Sequence, residues 1–413
     1  MKFKYLHIAS ILLFVSFSQG AFTQVHKDTI NTLYDHEIGF DMYIETASVL
    51  NNALLNASGF IDEDLKDENQ KRLNDVNQGG SNIDLKFFYR QSRPELWGIK
   101  KIELYFALEW HYLDEYRFTD DLYNLVFYGN KDYAGKAANL SYTGRQYLNY
   151  YQLKSGIYKL SLNEKHWYGA NIALNLGNQF SSIQLNDKSC LNTNSLGTEI
   201  QLNSNLDYAQ SDTNQSAWYQ MAGLGASVDL FYKFQKKDYY SILISAENIG
   251  FIRWNKNTIS YSENKTHSFS GIEVDNIFDM SESLGISDDT LMDYVYENAH
   301  QNSELMMLPI DLRLKYKQYF MARKIELSAM IYYRVFSYML PLYQIDATYE
   351  INKNIKLGPI LSYGGYTAFN AGLKLEFTLA KNYHFRLESR YITGFAQHYF
   401  SGMGGFINFT YKI

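Results

Sequence analysis

Catalysis by side chains needs partners within reach, such as a nucleophile beside a base or ligands spaced for a metal. The 413-residue chain carries nine His and a single Cys, Cys190. None of them falls into such a pattern. There is no G-x-S-x-G elbow, no H-E-x-x-H helix and no phosphate-cradling G-x-x-x-x-G-K loop. His384 and His398 have no Ser or Cys at an informative spacing. The sequence points to no catalytic residue, no cofactor and no metal. A Ser–His pair distant in sequence is the one enzymatic route left open.

Charge is the chemistry the sequence does organise. Alternation puts Lys101, Glu103, Arg313, Lys315, Arg386, Glu388 and Arg390 on the polar faces of apolar strands. Asp84, Lys86, Arg90, Glu109, Asp229, Glu247, Asp311, Glu326, Arg334, Asp346, Glu350, Lys374 and Glu376 join them. A charge in a low dielectric must be paired or wet. A mixture of both signs suits a wall stiffened by ion pairs, or a polar conduit. It suits a charge-selective pore less well, because such pores favour one sign.

A second charge feature is a block. Residues 262–306 hold ten acids, among them Asp275, Asp279, Asp288, Asp289 and Asp293, against one Lys, Lys265. No EF-hand spacing is present. The block is expected to be a solvated extracellular insert, and a place for a protein partner. The net charge of −6 argues against nucleic acid.

The elements that would position these charges read as strands. In 101–111, Ile102, Leu104, Phe106, Leu108 and Trp110 alternate with polar neighbours; 310–317, 373–379 and 384–391 behave alike. The runs are ten to fourteen residues long, and aromatic residues reach 16% of the chain. Long alternating runs joined by short turns and long loops predict an all-β transmembrane antiparallel barrel of about 14 strands (12–16), with short helical inserts. The final strand, Ile407 to Ile413, is expected to pair with the first, because an open edge in lipid leaves polar groups unsatisfied. Residues 1–20 read as a signal peptide, with Lys2 and Lys4 before a short apolar core. Residues 21–35 then form a periplasmic segment and 36–413 the barrel. Residues 45–76 read as a helical plug or cap. The excursion 179–217 reads as an added hairpin arm or a piece in the lumen. Gly250 is a candidate wall kink and Trp254 a candidate for the interfacial aromatic girdle.

At Asn248–Trp254, "NIGFIRW", followed by Phe269-Ser270-Gly271-Ile272, the chain resembles a family of uncharacterised Bacteroidota outer-membrane β-barrels. Thr119–Gly135, Asn171–Ile183 and Leu308–Phe320 resemble its other landmarks, and the resemblance spans about residues 36 to 413. It implies a Gram-negative outer membrane, contact with its lipid, and insertion by the barrel-assembly machinery. It is distantly similar to barrels that take up long-chain hydrophobic compounds. The implied role is transport of small hydrophobic or amphipathic molecules. The alternative is an interaction barrel, such as a secretion accessory, holding an extracellular or periplasmic partner. The resemblance carries no site residues.

Overall fold

The computed structural model describes residues 36–51, 61–215, 217–236, 239–269, 298–395 and 401–413. The expected signal peptide and periplasmic segment (1–35) lie outside the described residues. So do 52–60 and, with all five aspartates named in the acidic insert, 270–297.

Within the described residues, twenty strands follow in chain order. The first half comprises β1 (His36–Ser48), β2 (Val76–Leu96), β3 (Ile99–Thr119), β4 (Ala137–Asn139), β5 (Gly144–Leu160), β6 (His166–Leu185), β7 (Cys190–Thr193), β8 (Ile200–Gln210), β9 (Gly223–Lys236) and β10 (Tyr240–Trp254). The second comprises β11 (Ile259–Phe269), β12 (His300–Gln301), β13 (Leu305–Met307), β14 (Ile310–Phe320), β15 (Ile325–Val335), β16 (Leu342–Asn352), β17 (Ile355–Tyr363), β18 (Phe369–Leu379), β19 (Tyr383–Ser389) and β20 (Gly402–Lys412). Helix α1 spans Glu63–Gln70 and α2 spans Asp120–Tyr128.

Fourteen strands make a closed antiparallel wall: β1, β2, β3, β5, β6, β9, β10 and β14 to β20, each paired with the next. β20 closes the ring on β1, with Phe409 opposite Phe40 and Lys412 opposite Glu37. The Ile413 amide donates to the His36 carbonyl at 2.9 Å, so pairing runs to the last residue. Closure leaves no edge.

Period two decides what each face carries. Phe106, Leu108, Ile172, Leu230, Ile345 and Leu373 point outward and are 42–68% exposed. Their sequence neighbours point into the lumen. Tight turns close one end. Trp97 and Gly98 both take positive φ between β2 and β3, as do Ala380 and Lys381 between β18 and β19. Long loops crown the other end.

Three segments depart from expectation. Residues 45–48 belong to β1, and within 45–76 the described helix is confined to α1. Asp62 caps it, accepting from the Leu65 amide at 2.8 Å. Tyr123 of α2 donates to the Lys66 carbonyl at 2.9 Å, docking the two helices together at the long-loop end. Residues 179–185 complete wall strand β6, and among the described residues the rest of the 179–217 excursion adds no strand to the ring. β7 and β8 join β4 and β11 in a sheet that extends the wall upward from β6. β8 and β11 pair over eleven residues up to Phe269. That makes the root of the acidic insert a paired strand.

Candidate functional site

The candidate site is the lumen. From the short-turn end it opens as a cavity of about 540 Å³. Glu37, Asp41, Arg90, Glu376, Arg386 and Lys412 line its sides, and Phe88 and Phe406 wall its inner end. Arg90 donates to Glu37 at 2.8 Å and stacks 4.5 Å from the Phe88 ring. Asp41 accepts from Asn408 at 2.6 Å.

Past Phe406 and Asp41 the space shrinks to cavities of about 60, 30 and 20 Å³. These hold water and little else. Charged pairs, mostly between neighbouring strands, fill this space. Lys154 lies 3.0 Å from both Glu109 and Asp229, and Lys86 lies 3.6 Å from Glu109. Arg313 meets Glu247 at 3.0 Å and Arg334 meets Asp311 at 2.8 Å. Elsewhere on the wall, Lys374 meets Glu376 two residues along β18 at 3.1 Å, and Lys317 meets Glu326 on the adjacent strand at 2.9 Å. Removing one partner would strand a buried charge, so the layer resists partial loss.

The long-loop end is sealed by two apolar clusters. One contains Leu113, Leu148, Tyr150, Phe180, Ile252, Trp254 and Leu308. Bulges build it. β10 slips one residue against β9 between Ala246 and Ile249, where Asn248 takes φ +62°. The slip exchanges inner and outer faces. Ile252 and Trp254 therefore turn inward and are 0% and 1% exposed. A second slip, where Asn149 pairs with Gln179 but Tyr150 pairs with Gly177, turns Phe180 inward. Its ring sits 4.6 Å from that of Trp254. A Cβ at Gly177 would lie 2.7 Å from the Trp254 indole, and one at Gly223 2.6 Å from Ile252, so glycine is required beneath both.

The other cluster is Ala47, Met330, Tyr332, Met339, Leu342, Tyr366 and Tyr391. Met339, Tyr366 and Tyr391 come from the connections after β15, β17 and β19. Two buried glutamates pin them. Glu115 accepts from Ser337 Oγ at 2.5 Å, the Tyr338 amide at 3.0 Å, Gln146 Nε2 at 2.6 Å and the Tyr366 hydroxyl. Glu45 accepts from Arg390 at 2.7 Å and from the Tyr43 and Tyr391 hydroxyls.

The family of unknown function DUF5723 matches residues 113–385. The chain belongs to this family. Among solved structures similar to this DUF5723 chain is the P. putida toluene transporter TodX, 9% identical, with 92% of this chain and 89% of that one covered and a TM-score of 0.40. The Ralstonia pickettii toluene transporter TbuX is 9% identical over 92% and 90%, with a TM-score of 0.43. A Pseudomonas aeruginosa FadL homologue is 8% identical over 91% and 89%, with a TM-score of 0.39. The likeness is one of barrel fold. No curated protein matches the chain.

In this DUF5723 barrel Glu103, Arg313, Lys315, Arg386, Glu388 and Arg390 all face the lumen, 3–9% exposed. They do not converge on one point. Arg390 belongs to the upper seal, Arg313 and Lys315 to the middle, and Arg386 to the lower cavity. Lys101 stands apart from them. It takes φ +57° beside the β2–β3 turn and pairs at the rim with Glu164 at 2.5 Å. The wall irregularity falls at Asn248, and Gly250 sits in regular register opposite Ser227. Trp254 is part of the seal, whereas Trp97 and Trp218 are the exposed indoles near the two ends, 79% and 74% exposed. Sequence reasoning missed Glu37, Asp41, Glu45, Glu115 and Lys154. For Lys154 a signal existed, an alternation blurred because Tyr occupies both faces of β5. His111 meets Asp84 at 2.6 Å and Glu109 at 3.2 Å, while His384 meets Thr378 at 3.0 Å. Neither imidazole is both oriented by a carboxylate and placed against a hydroxyl or thiol nucleophile.

Proposed function

We propose that the chain is an outer-membrane transport barrel of a Gram-negative bacterium, held here in a closed state, that passes small amphipathic molecules between its long-loop end and a vestibule facing the periplasm. The outward apolar belt supports membrane insertion, since lipid leaves no other use for a ring of exposed Leu, Ile and Phe. The observation that carries the transport reading is the asymmetry of the lumen. One end is an open cavity of about 540 Å³. The other is shut partly by loops hung on hydrogen bonds to Glu115 and Glu45. A seal made of short connections can move without breaking the wall. The middle layer of ion pairs would admit polar groups only by exchanging partners, which argues against free diffusion. The oriented imidazole of the described lumen, His111, faces carboxylates and no nucleophile, and we propose transport rather than catalysis.

The test is uptake by liposomes carrying the refolded barrel, with an amphipathic dye and a small sugar side by side. The reading expects slow, saturable dye uptake, exclusion of sugar, and faster dye uptake in Glu115→Ala. Free passage of sugar through the unaltered barrel would make it an open porin. No dye passage in either form would remove transport.

A second reading, an interaction barrel, draws support from one observation. The β8–β11 ladder carries the chain well beyond the wall to the root of the acidic insert. If that reading holds, deleting 270–297 abolishes co-purification of a partner while leaving dye uptake unchanged.

A further inference from the structure

The short-turn vestibule has unspent positive charge. Its acids are largely engaged: Glu37 by Arg90 at 2.8 Å and Lys412 at 3.9 Å, Asp41 by Lys86 at 3.8 Å and Asn408, and Glu376 by Lys374 at 3.1 Å and Arg386 at 3.8 Å. Three lining lysines are not. Lys353, on the β16–β17 turn, Lys356, at the start of β17, and Lys381, on the β18–β19 turn, line the cavity. None has a hydrogen bond or ion pair within 4.0 Å among the described residues. Glu350 is the one lining acid in the same position. Lys356 stands between Glu350 and Glu376 on its two neighbouring strands, so Lys353 and Lys381 are the cations with no acid beside them, and the lining as a whole holds six Lys and Arg against four acids.

Depth supplies the second half of the argument. Beyond the lysines the walls carry ion pairs, and the inner end is formed by the Phe88 and Phe406 rings. An entering molecule meets positive charge first and aromatic surface last. The volume, about 540 Å³, lies within the range of about 300–1,000 Å³ usual for small-molecule sites. The cavity stops at Phe406, so a bound molecule would be held.

We propose that the vestibule is a binding site for small organic anions with an apolar body, the anionic group held by Lys353, Lys356 and Lys381 and the body directed toward Phe88 and Phe406. The proposal deepens the transport reading by naming its cargo class. It can be tested on the closed barrel without any passage of cargo. If uptake fails but binding holds, the site stands and the transport reading falls.

The experiment uses the full barrel in lipid nanodiscs, with empty nanodiscs as reference. Three probes share one body: 4-phenylbutyrate, 4-phenylbutanol and 4-phenylbutylamine. Ligand-observed NMR measures binding of each. The rim variant K353A/K356A/K381A is compared with K131A/K136A/K188A, which removes the same charge from exposed loops at the far end. The expected result is that the carboxylate binds roughly tenfold or more tighter than the alcohol or amine. The rim variant should lose roughly that factor and the far-end variant should keep full affinity. Three results would overturn the proposal: equal binding of carboxylate and alcohol, equal losses in both variants, or no binding of any probe above the empty-nanodisc reference. Because the six lysines lie in turns, loops, a short 3-10 turn of helix or at a strand start, circular dichroism of both variants should match the parent, which separates lost binding from lost fold.

Discussion

Glu115 is fully buried, and among the described residues it faces four hydrogen-bond donors and no cation. A carboxylate so placed is held by those donors, and they in turn are held by it. Replacing it with Ala frees the Ser337–Pro341 connection and leaves the Tyr366 hydroxyl and the Tyr338 amide without their acceptor. Trp254 fills the opposite half of the seal. Trp254→Ala should cost about 3–5 kcal/mol, the usual range for emptying a large buried aromatic site. Chemical denaturation in detergent reads it directly. Lys154 bridges two acids at 3.0 Å each. Lys154→Met should destabilise by about 3–5 kcal/mol because Glu109 and Asp229 are then left buried together. Outside the membrane-spanning wall, Asp212 ties the loop before β9 to that after β10. Hydrogen bonds, led by Asn257 Nδ2 at 2.9 Å, outweigh burial and hold its carboxyl below the usual range. A depressed carboxylate stabilises above its unfolded pKa, about 4, and that contribution fades as pH falls through the lower folded value. Limited proteolysis of this loop should therefore accelerate below pH 4, and Asp212→Asn should flatten the dependence. Of these four residues the sequence offered little. Glu115 lay beyond the alternating run that ends at His111, Asp212 in the 179–217 excursion, Lys154 in a run of tyrosines on both faces, and Trp254 on the wrong face.

Trp254 was placed on the wrong face because a bulge reverses the alternation. Counting by twos from Leu243 puts the inner face at 245 and 247, and would leave Trp254 in lipid. The extra residue at Asn248 shifts the inner set to Ile252 and Trp254. Asn is the non-glycine residue that most readily adopts the left-handed conformation seen there, φ +62°. That was the available hint, and it sits two residues before the glycine that drew attention. Deleting Asn248 should restore plain alternation and turn the indole outward. The expected readout is quenching of Trp254 emission by brominated lipid, in a variant whose other four Trp are Phe. An indole that stays shielded from lipid would show that the bulge does not set the face. By contrast the wall strands themselves were legible, because unbroken runs such as Ile310–Phe320 and Ile325–Val335 alternate without interruption. Residues 45–48 were misassigned for a different reason. Glu45, Ala47 and Ser48 are small or polar residues at the top of β1, where lumen packing replaces lipid contact and the outward apolar signal disappears.

The whole barrel is a funnel with a closed top. Alternation makes the wall, closure of β20 on β1 makes it continuous, and mixed charges fill its waist. Sequence patterning reached this architecture because every wall strand must satisfy the same two solvents, lipid outside and water inside. It did not reach the seal, which is assembled from loops and bulges whose partners lie far apart in sequence: Glu115 with Tyr366, and Glu45 with Tyr391. The central claim is that these contacts, and not the wall, keep the barrel shut. Planar-bilayer conductance tests it most directly, with the unaltered barrel beside Glu115→Ala and the milder Tyr366→Phe. The account predicts almost no current through the unaltered barrel, frequent openings in Glu115→Ala and intermediate behaviour in Tyr366→Phe. Steady conductance in the unaltered barrel, or silence in all three with correctly folded protein, would contradict it.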